Sequence, residues 1–119
     1  MRISEELRQR TKVYASGIVR LFKDLPPRDK AAQTLGLQLL RSGTSVAAHS
    51  REASRARSDA EFCSKLDGLL QEADESELWL ELLMEDCGVS SEQTKFLHKE
   101  TDELISIFTT IVFKVRRGL

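Results

Sequence analysis

At 119 residues the chain is one domain, 1–119, large enough to bury roughly 65% of its extended-chain surface without staples. Two cysteines outside any Cys-x-x-Cys pattern exclude a disulfide framework, and no stretch approaches the roughly 18 apolar residues of a membrane span. The net charge of −1 hides an imbalance: residues 1–57 carry 12 Lys and Arg against 5 Asp and Glu, and residues 58–87 carry 1 against 10. That asymmetry predicts either an acidic helix paired with basic ones or a basic face kept for nucleic acid.

The N-terminus, Met1-Arg2-Ile3-Ser4-Glu5-Glu6, is charged at once and has no apolar leader. The expected compartment is therefore cytoplasmic, with Cys63 and Cys87 reduced. Residues 3–24 then read as a helix, with Ile3, Leu7, Tyr14, Ile18, Leu21 and Phe22 at helical spacing. Pro26-Pro27 stops it, and Leu25 is the boundary, because a residue before proline is pushed out of helical geometry.

A second helix is expected to start at Pro27, which a first turn tolerates. It runs through Ala32, Leu35, Leu39 and Leu40 into Val46. From Gly36 onward it is rich in Gly, Ser, Thr and Ala. Propensity alone does not hold such a helix, so packing must, and small side chains mark the closest helix approach. The alternative is a loop at 42–45 that splits the helix.

Ser58-Asp59-Ala60-Glu61 has the form of a capping box. The third helix follows to about Asp86, with Phe62, Leu66, Leu69, Ala73, Ser76, Leu80 and Leu83 in alternating steps of four and three. This is the seam of left-handed bundle packing. Gly88 is placed to end it. Ser90, with Gln93 as return partner, is the expected cap of a fourth helix to about Arg117. Leu97, Leu104, Phe108, Ile111 and Val115 form its stripe, while Ile105, Ile107, Val112 and Phe113 widen the apolar surface beyond one face. A helix apolar on more than one face is buried on more than one face, and in a four-helix domain the surplus predicts an oligomer. The predicted fold is all-α, an antiparallel up-down-up-down four-helix bundle.

Catalytic chemistry finds little here. A di-iron bundle needs Glu-x-x-His on two helices; His49 precedes Glu52 in the reverse order, and His98 has Lys95 three residues before it. Zinc fails on ligand spacing, so no metal and no cofactor is expected. Gly36 and Gly43 lack the Lys-Ser/Thr of a phosphate loop. Neither cysteine is set up as a nucleophile beside a base. Glu72, Asp74, Glu75, Glu77 and Glu81 read as a solvated acidic face, and Trp79 as a packing residue or an oligomer contact. The expectation is no enzyme. The one cluster with binding chemistry is Arg41, Arg51, Arg55 and Arg57, with His49 among them. These arginines suit phosphates if they converge on one exposed surface; otherwise they serve ion pairs to the acidic helix. No aromatic residues interleave with them, so base stacking is not indicated.

Residues 37–49, Leu-Gln-Leu-Leu-Arg-Ser-Gly-Thr-Ser-Val-Ala-Ala-His, resemble the motif of the four-helix proteins encoded in intervening sequences of 23S ribosomal RNA genes. Gln38, Arg41, Ser42, Gly43, Ser45, Val46, Ala47, Ala48 and Glu52 match, as do Glu61-Phe62 past the Arg/Ser-rich link and Glu77-Leu78 farther on. His49, Ser50, Arg51 and Ala53 depart from the family's Asn, Ile, Ala and Gly. The resemblance implies a ring-like homopentamer without enzymatic activity; the expected role is that of a binding or scaffold protein. Related proteins serve as nucleic-acid-binding accessory subunits of retroelement reverse transcriptases. The implied partners are thus the chain itself, RNA or DNA, or another protein, with no membrane.

Overall fold

The computed structural model describes residues 3–118. It is all-helical, with α1 (Glu5–Asp24), α2 (Lys30–Ser54), α3 (Asp59–Asp86) and α4 (Glu92–Arg116), and no strand among the described residues. The body measures 49 × 21 × 20 Å. A helix of 28 residues, the length of α3, spans about 42 Å, so the helices lie side by side along the long axis. Each packs on its neighbour in sequence, and α1 also meets α4, the least extensive of these contacts.

The helix starts are set by side-chain caps. Ser4 accepts from Leu7 N, Asp29 from Ala32 N, Ser58 from Glu61 N and Ser91 from Thr94 N. Two of these correct the sequence expectation. Pro27 does not open α2: residues 26–29 form a turn in which Pro26 O accepts from Asp29 N and from Gln33 Nε2, and the Asp29 carboxylate supplies the cap. Ser90 does not cap α4 either. Ser91 does, because Thr94 Oγ1 accepts from Ser91 N at 2.8 Å, a reach the expected Ser90–Gln93 pair does not supply. The boundary at Leu25 holds, with φ −65° and ψ 148°. Gly88 takes φ +68°, the left-handed turn that ends α3.

The expected α3 seam is buried throughout: Phe62, Leu66, Leu69, Ala73, Ser76, Leu80 and Leu83. It packs on Tyr14, Ile18 and Leu21 of α1, Leu39 and Val46 of α2, and Leu97, Leu104 and Phe108 of α4, which form one core. Each such side chain contributes on the order of 1.5–3 kcal/mol on burial. Toward its end the α4 stripe shifts: Val112 is buried, while Ile111 and Val115 are only partly covered.

The helix α2 is continuous through residues 42–45, so the loop alternative is not taken. Its hydroxyls fold back on their own helix, Thr44 Oγ1 donating to Leu40 O and Ser45 Oγ to Arg41 O, both at 2.7 Å. The small residues do bring helices together. A β-carbon on Gly43 would lie 2.8 Å from Ile18 Cγ1.

One buried polar level crosses all four helices. Ser42 of α2 meets Ser76 of α3 at 2.7 Å, and Tyr14 of α1 meets Thr101 of α4 at 2.7 Å. Thr101 spends its proton on Leu97 O and Ser76 its own on Glu72 O, so Tyr14 and Ser42 are the donors in these two contacts. Burial is the main cause that pushes the Tyr14 hydroxyl up to about 12. Where α1 and α4 touch, Arg10 grips Glu100 by two bonds of 2.7 Å and reaches Glu103 at 3.1 Å.

Candidate functional site

The four arginines singled out from sequence do not converge. Arg41 lies about 15 Å along α2 from Arg51 and is held by α3, Nη1 at 2.9 Å from Glu72 Oε2 and Nη2 at 2.8 Å from Glu75 Oε1. For Arg41 the ion-pair alternative is therefore the one realised. Arg57 is in the link after α2, well exposed, with Nε 3.8 Å from Glu61. His49 is not part of a basic surface. Its ring packs on Gly68 of α3, and Nδ1 lies 3.3 Å from Glu52 Oε1 without hydrogen-bond geometry.

Arg51 and Arg55 do come together, one turn apart at the end of α2, and they face α1 rather than Arg41 or Arg57. There Glu5, Arg8, Gln9 and Lys12 complete the walls of a depression of about 180 Å³. Four cations and one carboxylate line it. Arg8 and Lys12 are themselves one turn apart on α1, so the two pairs sit opposite each other across the α1–α2 seam. None of the four has an ion-pair partner among the described residues, whereas Arg10, Arg41, Lys65 and Arg116 are all paired. Arg8 Nε is shielded from solvent and has no hydrogen-bond partner. This arrangement can take an anion with spread charge, such as a phosphodiester backbone. The i,i+4 spacing of Arg51 and Arg55 was visible in sequence. Arg8 and Lys12 carry no such signal, since their meeting with Arg51 and Arg55 depends on the α1–α2 register.

A second cluster lies at the α3–α4 seam. Glu77, Glu81 and His98 each place one ligand atom within 4.8 Å of the others, with His98 Nε2 2.9 Å from Glu81 Oε2. The carboxyl of Asp102, one turn after His98, lies beside Glu77. Bonding to Asp102 is the main cause that pushes Glu77 up to about 7, followed by burial and the Asp102 charge, with His98 opposing. Two facing carboxyls bond only when one holds a proton; unprotonated, Glu77 Oε2 is sealed from solvent without a partner. The acidic face expected on α3 is thus partly an interface. Ligand spacing along one helix hides this set, because its members come in i,i+4 pairs from two helices.

No helix is long and apolar enough to cross a membrane among the described residues. In sequence, the profile of the family described as 23S rRNA-intervening sequence protein matches residues 5–110. No curated protein matches the chain. Among solved structures, the chain is similar to a protein of unknown function from the S23 ribosomal protein family of Bacteroides thetaiotaomicron VPI-5482. The two are 35% identical with a TM-score of 0.80, over 88% of this chain and 96% of that one.

Proposed function

The chain belongs to the 23S rRNA-intervening sequence protein family, and from that premise we propose that it acts without catalysis, as a self-assembling helical bundle that holds nucleic acid by its phosphates. The observation that carries the reading is the depression walled by Arg8, Lys12, Arg51 and Arg55. Four cations gathered in one depression without ion pairs among the described residues, in a chain that pairs Arg10, Arg41, Arg57 and Arg116, favour a ligand that brings its own negative charge. The names of the family and of the solved relative both refer to ribosomal material, which makes structured RNA the first probe and duplex DNA the second.

The bundle of this reading runs up-down-up-down, its neighbours antiparallel. Support comes from paired positions whose numbers rise on one helix as they fall on the next: Gly36 with Phe22 and Gly43 with Ile18, Arg41 with Glu75 and Glu52 with Lys65, and Glu81 with His98 and Asp67 with Arg116. This order places the end of α2 beside the start of α1, where the depression forms. Self-assembly is supported by large apolar side chains left outside the core, Phe96, Phe113, Leu37 and Leu78 among them; five copies and a cytoplasmic location belong to the same proposal. A ring would repeat the basic depression around its circumference.

Fluorescence anisotropy with labelled RNA and DNA at several salt concentrations tests this. Four phosphate contacts per chain give log Kobs against log salt a slope of about −3 to −4. Arg51→Ala and Arg55→Ala should each weaken binding to both probes and flatten that slope by about one unit. Arg41→Ala should leave it unchanged, since Glu72 and Glu75 already hold that guanidinium. Absence of binding at low salt, or equal losses from Arg41→Ala and Arg51→Ala, would remove the basis of the proposal.

A further inference from the structure

We propose that Glu77, Glu81 and His98, with Asp102 beside Glu77, form a binding site for a divalent transition-metal cation at the α3–α4 seam. The site is separate from the basic depression. It lies toward the end of the bundle where α4 begins, whereas the depression lies where α1 begins, so the proposal stands without the nucleic-acid reading.

The geometry is that of a two-helix ligand set. Glu77 and Glu81 are one turn apart on α3, and His98 and Asp102 one turn apart on α4. The pairs meet in register, Glu81 with His98 and Glu77 with Asp102. Ligand atoms roughly 2.0–2.2 Å from a zinc ion stand about 3.4 Å from one another in a tetrahedron. The separations here run from 2.9 Å up to a limit of 4.8 Å, so small side-chain rotations would bring them onto one ion. The side chains of His98 and Glu81 are 29% and 41% exposed, which leaves an entry path.

The charge arrangement calls for a cation. Three carboxyls surround one imidazole, with Glu77 half-buried at the helix interface beside the exposed Asp102. With both carboxyls ionised, Glu77 Oε2 has no hydrogen-bond partner among the described residues and no solvent contact. A dication supplies that oxygen with a partner and turns the repulsion between Glu77 and Asp102 into attraction. The imidazole nitrogen sets the class of ion. Magnesium and calcium take all-oxygen shells, whereas one nitrogen among carboxylate oxygens suits zinc, manganese or ferrous iron. Of these, zinc is favoured by its tolerance of four-coordinate mixed nitrogen and oxygen sets. The neutral imidazole would carry its proton on Nδ1 and turn Nε2 to the ion.

The test is calorimetric titration of the chelator-treated full chain with zinc, manganese and magnesium chlorides. Zinc should bind at one ion per chain and raise the melting temperature by several degrees, with magnesium much weaker. His98→Gln and Glu81→Gln should each weaken zinc roughly tenfold or more while keeping the helical circular-dichroism signal. Glu77→Gln separates a ligand from a structural residue: it keeps the size of the side chain and should leave the metal-free helical signal intact, yet weaken zinc. A cobalt(II) spectrum of the unmodified protein is the safeguard should the variants not fold; it should show nitrogen and oxygen ligation only. No zinc binding near neutral pH, undiminished affinity in the His98→Gln/Glu81→Gln variant, or a thiolate charge-transfer band from Cys63 or Cys87 would each overturn the assignment.

Discussion

Tyr14 is the residue on which the buried polar level turns. Its ring fills the core, 1% exposed, and its hydroxyl donates to Thr101 across the α1–α4 contact. Burial is the chief reason its proton is held up to about 12, and an unfolded tyrosine ionises near about 10. Below about pH 10 both states keep the proton and the contribution to stability is complete. Between about 10 and 12 only the unfolded chain gives it up, so stability falls by about 1.4 kcal/mol per pH unit, roughly 2–3 kcal/mol in all. We expect urea midpoints of the native protein to drop across this interval and those of Tyr14→Phe to drop less. The chain has a single tyrosine, so its ultraviolet ionisation curve gives the folded value directly. Equal drops in the two proteins, or ionisation near 10 in the folded state, would assign the alkaline loss to other groups.

At the scale of helices, the glycines of α1 and α2 act by distance, and they do not act alike. The β-carbon absent from Gly43 would meet Ile18 Cγ1 at 2.8 Å and Cγ2 at 3.0 Å. Ile18 is fully buried and β-branched, with no free rotamer to yield into. Alanine there gains about 1 kcal/mol of helix propensity against an overpacking cost of typically 1–3 kcal/mol, so Gly43→Ala should be destabilising. At Gly17 the nearest atom is Leu97 Cδ2 at 3.0 Å, the mobile end of its side chain; propensity should prevail and Gly17→Ala should be neutral or up to about 1 kcal/mol more stable. Urea unfolding of the two variants checks the sign of each. Gly43→Ala as stable as the parent would mean that α1 and α2 can part at little cost. The same contrast shows what the sequence reveals. Periodicity marks the seam from Phe62 to Leu83 because a helix reports its own buried face. It does not report the partner's register, and hence neither Arg8 and Lys12 opposite Arg51 and Arg55, nor His98 opposite Glu81. Two helix starts differ for a smaller reason: at 27–29 a first-turn proline competes with the capping carboxylate of Asp29, at 90–91 two serines compete, and a hydrogen bond at one of them decides.

For the molecule as a whole, the issue is whether the chain's outside is complete. Phe96 is 61% exposed and Phe113 56%, and single exposed apolar residues are ordinary on a monomer. Phe113 is not single: with Leu70 and Val112 it lines an apolar groove between α3 and α4, rimmed by Asp67, Arg116 and Arg117. That surface is the surplus predicted from the wide apolar stripe of α4, and on the self-assembly reading a second copy covers it. Light scattering should then give a mass above the 13.5 kDa of one chain, about 68 kDa if five copies assemble (five times 13.5 kDa). Phe113→Asp puts a charge into the covered groove without entering the core, so it should lower the mass while leaving the helical signal intact. Assembly also bears on nucleic-acid binding, since linked copies of a weak basic depression engage a long phosphate backbone by avidity. Phe113→Asp should therefore lose affinity for long RNA more than for an oligonucleotide spanning one depression. A parent protein that stays monomeric at every concentration would remove the avidity and the ring together. A variant that keeps its full mass would move the contact away from this groove to another of the exposed apolar faces.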